Sequence, residues 1–186
     1  IHWSVRWRSL LTARAEVDYR FGPDSVDPGR SVSHGSGRLG PLNLTTLLLE
    51  AVKADLLLAD LAPLAPIIPA GIPGVVRVNL ERFVVADADF PIREAVGTVT
   101  LLNLGSGPPM GINLGNFHMV VKTPEVGEIR VRINDQKGPL ITNLKLVLKA
   151  DGRYRLHGTL AARNASDKNL KSLLRFVGRR GARGRY

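Results

Sequence analysis

The run Gly35–Gly40, which reads GSGRLG, has the GxGxxG spacing of a dinucleotide-binding turn. In such a site the glycines let a pyrophosphate approach the backbone where a helix begins, directly after a buried strand. Here the preceding residues are polar, and the chain lacks repeated strand–helix–strand units. The run is therefore interpreted as a flexible loop, and no nucleotide cofactor is expected.

No other group of residues has the spacing of an active site or a metal site. Asp87 and Asp89 form a close carboxylate pair of the kind that can bind a cation or carry acid–base chemistry, but they lie in a short polar turn. The histidines are scattered along the sequence without a second ligand nearby: His2, His34, His118 and His157. The chain has no cysteine and no nucleophile motif. We therefore expect no enzyme activity, no metal and no cofactor.

The net charge of +10 is concentrated in the last third of the chain. Residues 1–121 contain 10 Lys/Arg and 11 Asp/Glu, whereas residues 122–186 contain 16 Lys/Arg and 5 Asp/Glu. Such asymmetry indicates either an anionic partner, which could be lipid headgroups, nucleic acid or an acidic protein, or a solvated strand face with a basic tail. Nucleic-acid binding is the weakest of these because stacking platforms need exposed aromatic residues, and the basic third offers only Tyr154, Phe176 and Tyr186.

The elements that must position any site are mainly strands. Between Glu128 and Leu160, apolar residues alternate with polar ones in three runs, which is the period of strands with one buried face. The segment Asp135–Pro139 separates the first two runs. Asp151–Gly152 separates the last two and is a strong signal for a tight hairpin.

Upstream strands are predicted within residues 3–21, 76–85, 96–102 and 117–121, and residues 22–40 are predicted to form a loop. Residues 41–61 are ambiguous between helix and strand, with a strand favoured for their second half. Strands this closely spaced pair antiparallel. The sequence therefore predicts a mainly β fold, either a curved antiparallel sheet or an open β-sandwich, with a short C-terminal helix.

The C-terminal helix is amphipathic. Ser166 or Asp167 can cap it, its apolar side contains Leu170, Leu173, Leu174 and Val177, and Gly178 can end it. We expect the leucines to pack on the sheet. The basic residues on the other side and after the helix are candidates for contact with an anionic surface: Lys168, Lys171, Arg175, Arg179 and Arg180. Residues 179–186 are expected to form a flexible basic tail.

Two runs in the last third resemble the type II secretion system protein N family. The matching residues of the first turn and of the hairpin are Asp135, Gly138, Pro139, Leu140, Asp151, Gly152, Tyr154, Leu156, Gly158 and Leu160. The leucine-rich helix follows at a suitable distance. Residues 74–80 and 97–103 are similar to the two middle strands of the family. Lys137 departs from the pattern, since a small residue is expected there.

This resemblance implies a non-enzymatic, single-pass inner-membrane component of the general secretion pathway. Residues 1–186 would form one periplasmic β domain, preceded by an N-terminal membrane anchor. The implied partners are other subunits of the type II secretion apparatus: those of the inner-membrane platform, with the secretin as a further candidate. The resemblance gives no set of functional residues that could be assigned to this sequence. The motif residues are therefore expected to have structural roles.

Two other functions fit the residues. One is a periplasmic module that binds or transfers lipid or another hydrophobic ligand, for which the leucine-rich segment 42–61 could line a groove. The other is nucleic-acid binding through the basic third. The uncharged run Leu61–Val76 contains four prolines and is shorter than the roughly 20 residues of a membrane-spanning helix.

Overall fold

A computed structural model describes residues 2–5, 17–22, 32–43, 45–61, 71–86, 92–106, 111–164 and 166–177. These ranges contain ten strands and two helices. The strands are β1 (His2–Val5), β2 (Val17–Phe21), β3 (His34–Asn43), β4 (Thr46–Leu57), β5 (Val75–Ala86), β6 (Ile92–Gly105), β7 (Asn113–Glu125), β8 (Glu128–Asp135), β9 (Leu140–Lys149) and β10 (Tyr154–Ala162). The helices are α1 (Leu58–Leu61) and α2 (Lys168–Val177).

The ten strands form one antiparallel sheet in which every strand lies beside its neighbour in the sequence. Within the described ranges, β1 and β10 each pair on one side only, so the sheet is open. Register shifts between β3 and β4, β5 and β6, and β6 and β7 mark bulges, which bend the strands that contain them. The predicted mainly β fold with a C-terminal helix is confirmed, as one open sheet.

The two faces of the sheet differ in polarity because opposite residues in paired strands point to the same side. One continuous row on the apolar face runs Phe21, Gly35, Ala54, Val78, Val99, Met119, Ile133, Leu144 and Gly158. The adjacent row on the polar face runs Arg20, Ser36, Lys53, Asn79, Thr98, Val120, Arg132, Lys145 and His157. The alternation between an apolar and a polar face therefore extends across nine strands, β2 to β10.

Helix α2 covers one end of the apolar face. Asp167 caps it, since its Oδ1 accepts a hydrogen bond from the amide of Leu170 at 2.9 Å. Leu170 and Leu174 are 1% and 2% exposed, and they pack with Phe117 and Leu140. The prediction that the leucines pack on the sheet is confirmed. A second buried cluster forms on the same face around Ala95, Val121 and Ile129.

One prediction for the N-terminal half needs correction, and one ambiguity is resolved. Residues 34–43, most of which were expected to form a loop, are strand β3, so the GxGxxG run is neither a flexible loop nor a helix start. The glycines of this run suggested a turn, but glycine is needed at position 35 because there is no space for a side chain. A Cβ atom on it would lie 2.6 Å from the Phe21 ring. The ambiguous segment 41–61 contains strand β4, and only its last four residues are helical.

Candidate protein-interaction surface

The Asp135–Leu140 turn is held by the carboxylate of Asp135. Its Oδ1 accepts a hydrogen bond from the amide of Thr142 at 2.7 Å, and its Oδ2 lies 2.5 Å from Nη2 of Arg163. The Asp135 side chain is only 12% exposed. A partly buried carboxylate needs such partners to offset its lost hydration. The motif aspartate therefore fixes the turn between β8 and β9.

Arg163 closes this turn and was missed in the sequence. Its Nε donates to the carbonyl of Gly138 at 2.7 Å, and its own amide donates to the carbonyl of Pro139 at 2.8 Å. A signal was present, because the β9–β10 register places Ala162 opposite Leu140 and therefore Arg163 beside Pro139. A cation one residue beyond the end of a hairpin can reach a carboxylate in the preceding turn.

The second motif turn lies between β9 and β10, where the amide of Lys149 donates to the carbonyl of Arg153 at 2.9 Å and encloses a loop of three residues, 150–152. Gly152 has φ of 78°, and its amide donates to the carbonyl of Lys149 at 2.9 Å. Asp151 accepts from the amide of Arg153 at 3.0 Å and from its Nε at 2.6 Å. The hydrogen bond from the Arg153 side chain lowers the pKa of Asp151. The predicted hairpin is confirmed, with a three-residue loop of the type that needs a left-handed residue at its end.

A run of basic side chains crosses the polar face at the β10 end of the sheet. Arg132, Lys145 and His157, here named the basic row, lie directly opposite one another on β8, β9 and β10. Lys122 and Arg130 form the next pair along β7 and β8. All five are exposed. Like charges placed opposite each other are destabilising, so this arrangement has a cost to the isolated domain.

The basic row has no counter-charge of its own. Among the described residues, the ion pair in this area is that of Arg130 with Glu128 at 2.5 Å. Arg132, Lys145 and Lys122 have no carboxylate within 4 Å in the described ranges. A shallow cavity of about 480 Å³ lies among them and is also lined by Val120, Val147 and His157. The surface therefore offers several cations and two valines to an anionic, partly apolar partner.

The other end of the polar face contains a paired carboxylate. Arg77 donates from Nε and Nη2 to the two carboxylate oxygens of Asp55 at 2.9 and 2.8 Å. This bidentate hydrogen bond lowers the pKa of Asp55 and raises that of Arg77. A cavity of about 400 Å³ beside this pair also contains Lys53 and His34. Asp55 and Arg77 satisfy each other here, whereas Lys53 has no carboxylate within 4 Å in the described ranges.

The cations predicted on α2 lie away from the basic row. The helix packs on the apolar face, so Lys168, Lys171 and Arg175 are separated from the basic row by the sheet. Lys168 and Arg175 are exposed, and Lys171 is half-buried. Arg179, Arg180 and the predicted flexible tail lie outside the described residues. The sequence predicted the cations in and after the helix as the contact surface. It did not predict the cations of the sheet, because only the strand register brings them together.

Among the candidates for chemistry that the structure describes, none assemble into a site. Asp87 and Asp89 lie outside the described residues. His34 bonds the carbonyl of Val32 at 3.1 Å, and His118 bonds the hydroxyl of Thr100 at 3.3 Å. Where the chain is described, no three His, Asp or Glu side chains are grouped as a metal site would require. No helix in the described part is long and apolar enough to span a membrane.

The whole chain, residues 1–186, matches the family model of type II secretion system (T2SS) protein N. A search of curated proteins and a search of solved structures each found no significant match. The family match agrees with the motif residues that shape the β8–β10 turns. The chain therefore belongs to the type II secretion system protein N family, whose members are accessory components of the secretion apparatus.

Proposed function

We propose that this chain is the periplasmic domain of a single-pass inner-membrane component that supports export of folded proteins through contacts with other secretion subunits, without catalysis. Family membership supports a role in secretion and contact with other components of the apparatus. The single structural observation that carries the contact role is the basic row, with Arg132 and Lys145 exposed and without a carboxylate partner among the described residues.

The chemistry of this surface favours a protein partner with an acidic patch. Opposed cations on neighbouring strands repel one another, and an acidic surface would relieve this repulsion on binding. Val120 and Val147 between the cations add apolar contact of the kind found inside protein interfaces. Nucleic acid is a poorer fit because the lining of this cavity contains no Phe, Tyr or Trp for base stacking.

Charge reversal tests this proposal. The full-length protein carrying Arg132→Glu and Lys145→Glu is expressed in a strain that lacks the native gene, and secretion of a reporter exoenzyme is measured. We expect secretion to fall and co-purification with the other apparatus subunits to weaken, since each partner carboxylate would then face a like charge.

Lys53→Glu is the matched control. Lys53 lies in the same polar-face row and is exposed, but it is on β4, four strands away from Arg132 on β8. It should leave secretion unchanged while altering net charge by half as much as the double variant. Normal secretion by the double variant at equal protein level would reject the contact role of the basic row.

A hydrophobic ligand is the second candidate function. The apolar row contains Val78, Val99, Met119, Ile133 and Leu144, all of which are half-buried. On the β3–β4 side, Leu42 and Leu47 of the leucine-rich segment are 44% and 46% exposed. Native mass spectrometry of the purified protein distinguishes this function, because a ligand carrier would retain lipid and a purely protein-binding domain would not.

A further inference from the structure

The outer edge of β10 combines free backbone groups with exposed side chains on both faces. Residues 154–159 are all exposed, and Tyr154 and Leu156 are 74% and 52% exposed. In the described ranges β10 pairs only with β9. Helix α2 covers the other end of the strand, where Leu160 and Ala162 pack against the core.

The register shows which backbone groups face outward. The amide of Lys149 donates to the carbonyl of Arg153, and the amide of Arg163 donates to the carbonyl of Pro139. In an antiparallel pair, residues that exchange hydrogen bonds alternate with residues whose N–H and C=O point away. Odd-numbered residues of β10 therefore bond β9, and Tyr154, Leu156 and Gly158 direct their backbone groups to the open edge.

We propose that this edge binds an extended segment of another protein as an added strand, and that this segment alternates acidic and apolar residues. The proposal rests on the proposed function for its premise that the partner is a second protein. An added strand would place every second side chain on the polar face beside Arg155 and His157, which are exposed and continue toward Lys145. Its other side chains would meet Tyr154 and Leu156 on the apolar face. Main-chain hydrogen bonds would supply affinity, and the two faces would supply specificity.

Charge favours this occupant over a second copy or the chain's own tail. Two β10 strands paired edge to edge would bring Arg155 and His157 of each copy together, which is unfavourable. Residues 178–186 contain Arg179, Arg180, Arg183 and Arg185 and would meet the same repulsion. Natural sheets use charges to protect free edges. Protection alone does not account for an edge that also exposes a tyrosine and a leucine on its other face.

The test uses a short synthetic peptide that alternates Glu and Val, with a peptide that alternates Lys and Val as its control. Binding to the whole chain is followed by titration at low and high salt, and hydrogen exchange reports the amides of Leu156 and Gly158. We expect the Glu peptide to bind and to slow exchange of both amides, with affinity falling as salt rises. The Lys peptide should not bind.

Leu156→Pro separates strand addition from general surface attraction. Proline removes an outward-facing donor and leaves the bonds to β9 intact, as edge strands tolerate. It should weaken binding of the Glu peptide by roughly tenfold. Leu156→Thr loses the same side chain but keeps the donor, and should bind within about threefold of the original protein. In the double variant Arg155→Glu, His157→Glu, preference should switch to the Lys peptide; this arm does not depend on tolerance of proline.

Several outcomes would overturn the proposal. These are failure of the Glu peptide to bind, equal binding by the proline and threonine variants, or protection of Leu156 in the protein alone. If that protection is concentration-dependent, the occupant is a second copy; otherwise it is a segment of the same chain. All three variants leave Arg132 and Lys145 in place, so this proposal can fail while the charge-reversal test of the basic row succeeds.

Discussion

Asp135 and Arg163 are 28 positions apart in the sequence and form an ion pair that joins the start of the β8–β9 turn to the end of β10. The same guanidinium also bonds the carbonyl of Gly138. Since Asp135 also accepts from the amide of Thr142, one carboxylate and one guanidinium connect three strands. The aspartate of the motif is therefore needed for the structure of the turn.

Removal of this ion pair should destabilise the domain. Asp135→Ala removes the carboxylate that accepts hydrogen bonds from the amide of Thr142 and from Nη2 of Arg163. We expect a loss of roughly 2 kcal/mol in the free energy of unfolding. Urea denaturation measures this. Glu128→Ala is the control, because it breaks the more exposed pair with Arg130, and should cost no more than about 0.5 kcal/mol. Equal losses would show that the Asp135 network is not a specific tether.

Gly158 should not tolerate a side chain. Its φ is 147°, and a Cβ atom there would clash with the carbonyl oxygen of Asn143 and lie 2.8 Å from Cα of Leu144. Backbone atoms cannot rotate away, so Gly158→Ala should cost about 3 kcal/mol or prevent folding. Gly152→Ala is the matched control, because Gly152 also has positive φ but has open space around the added atom. It should cost roughly 1 kcal/mol, measured by thermal and urea unfolding.

Particular residues show which parts of the fold and of the surface could be predicted from the sequence. The strands of the last third were predictable because alternation and turn residues are local signals, and Gly158 was noted as part of a motif. The need for glycine at position 158 was not predictable, because the clash that a side chain would make involves Asn143 on the paired strand β9. Strand β3 was missed because the space for Gly35 is set by Phe21, a residue on another strand. Arg132 and Lys145 were similarly visible as charges, but their adjacency depends on register.

Thr142 should be replaceable by valine without loss of stability. It is 3% exposed, and its hydroxyl has no hydrogen-bond partner among the described residues. Burying an unbonded hydroxyl costs free energy, so an apolar group of the same shape should stabilise the domain by about 1 kcal/mol. The amide bond to Asp135 is kept because it uses the backbone.

Thr123→Val is the control for this change. The Thr123 hydroxyl accepts from the amide of Ala95 at 2.9 Å and donates to its carbonyl at 3.1 Å. Its removal should cost about 2 kcal/mol by urea denaturation. Loss of stability in Thr142→Val as large as in Thr123→Val would indicate that the Thr142 hydroxyl does form a bond in the folded protein.

Acid should weaken the domain partly through Asp55. The bidentate hydrogen bond from Arg77 holds the pKa of Asp55 below its ordinary value of 3.8 in the folded state. A lowered folded pKa means that the stabilisation is fully present above the unfolded value and is lost as pH falls through the folded value. Unfolding free energies of the original protein and of Asp55→Asn should therefore differ most at neutral pH and converge as the pH falls below about 4. The difference at neutral pH should be no more than about 1 kcal/mol, because the Arg77 side chain is 57% exposed, and it should shrink in high salt. A difference that stays constant from pH 7 to about pH 2 would show that ionisation of Asp55 contributes nothing to stability.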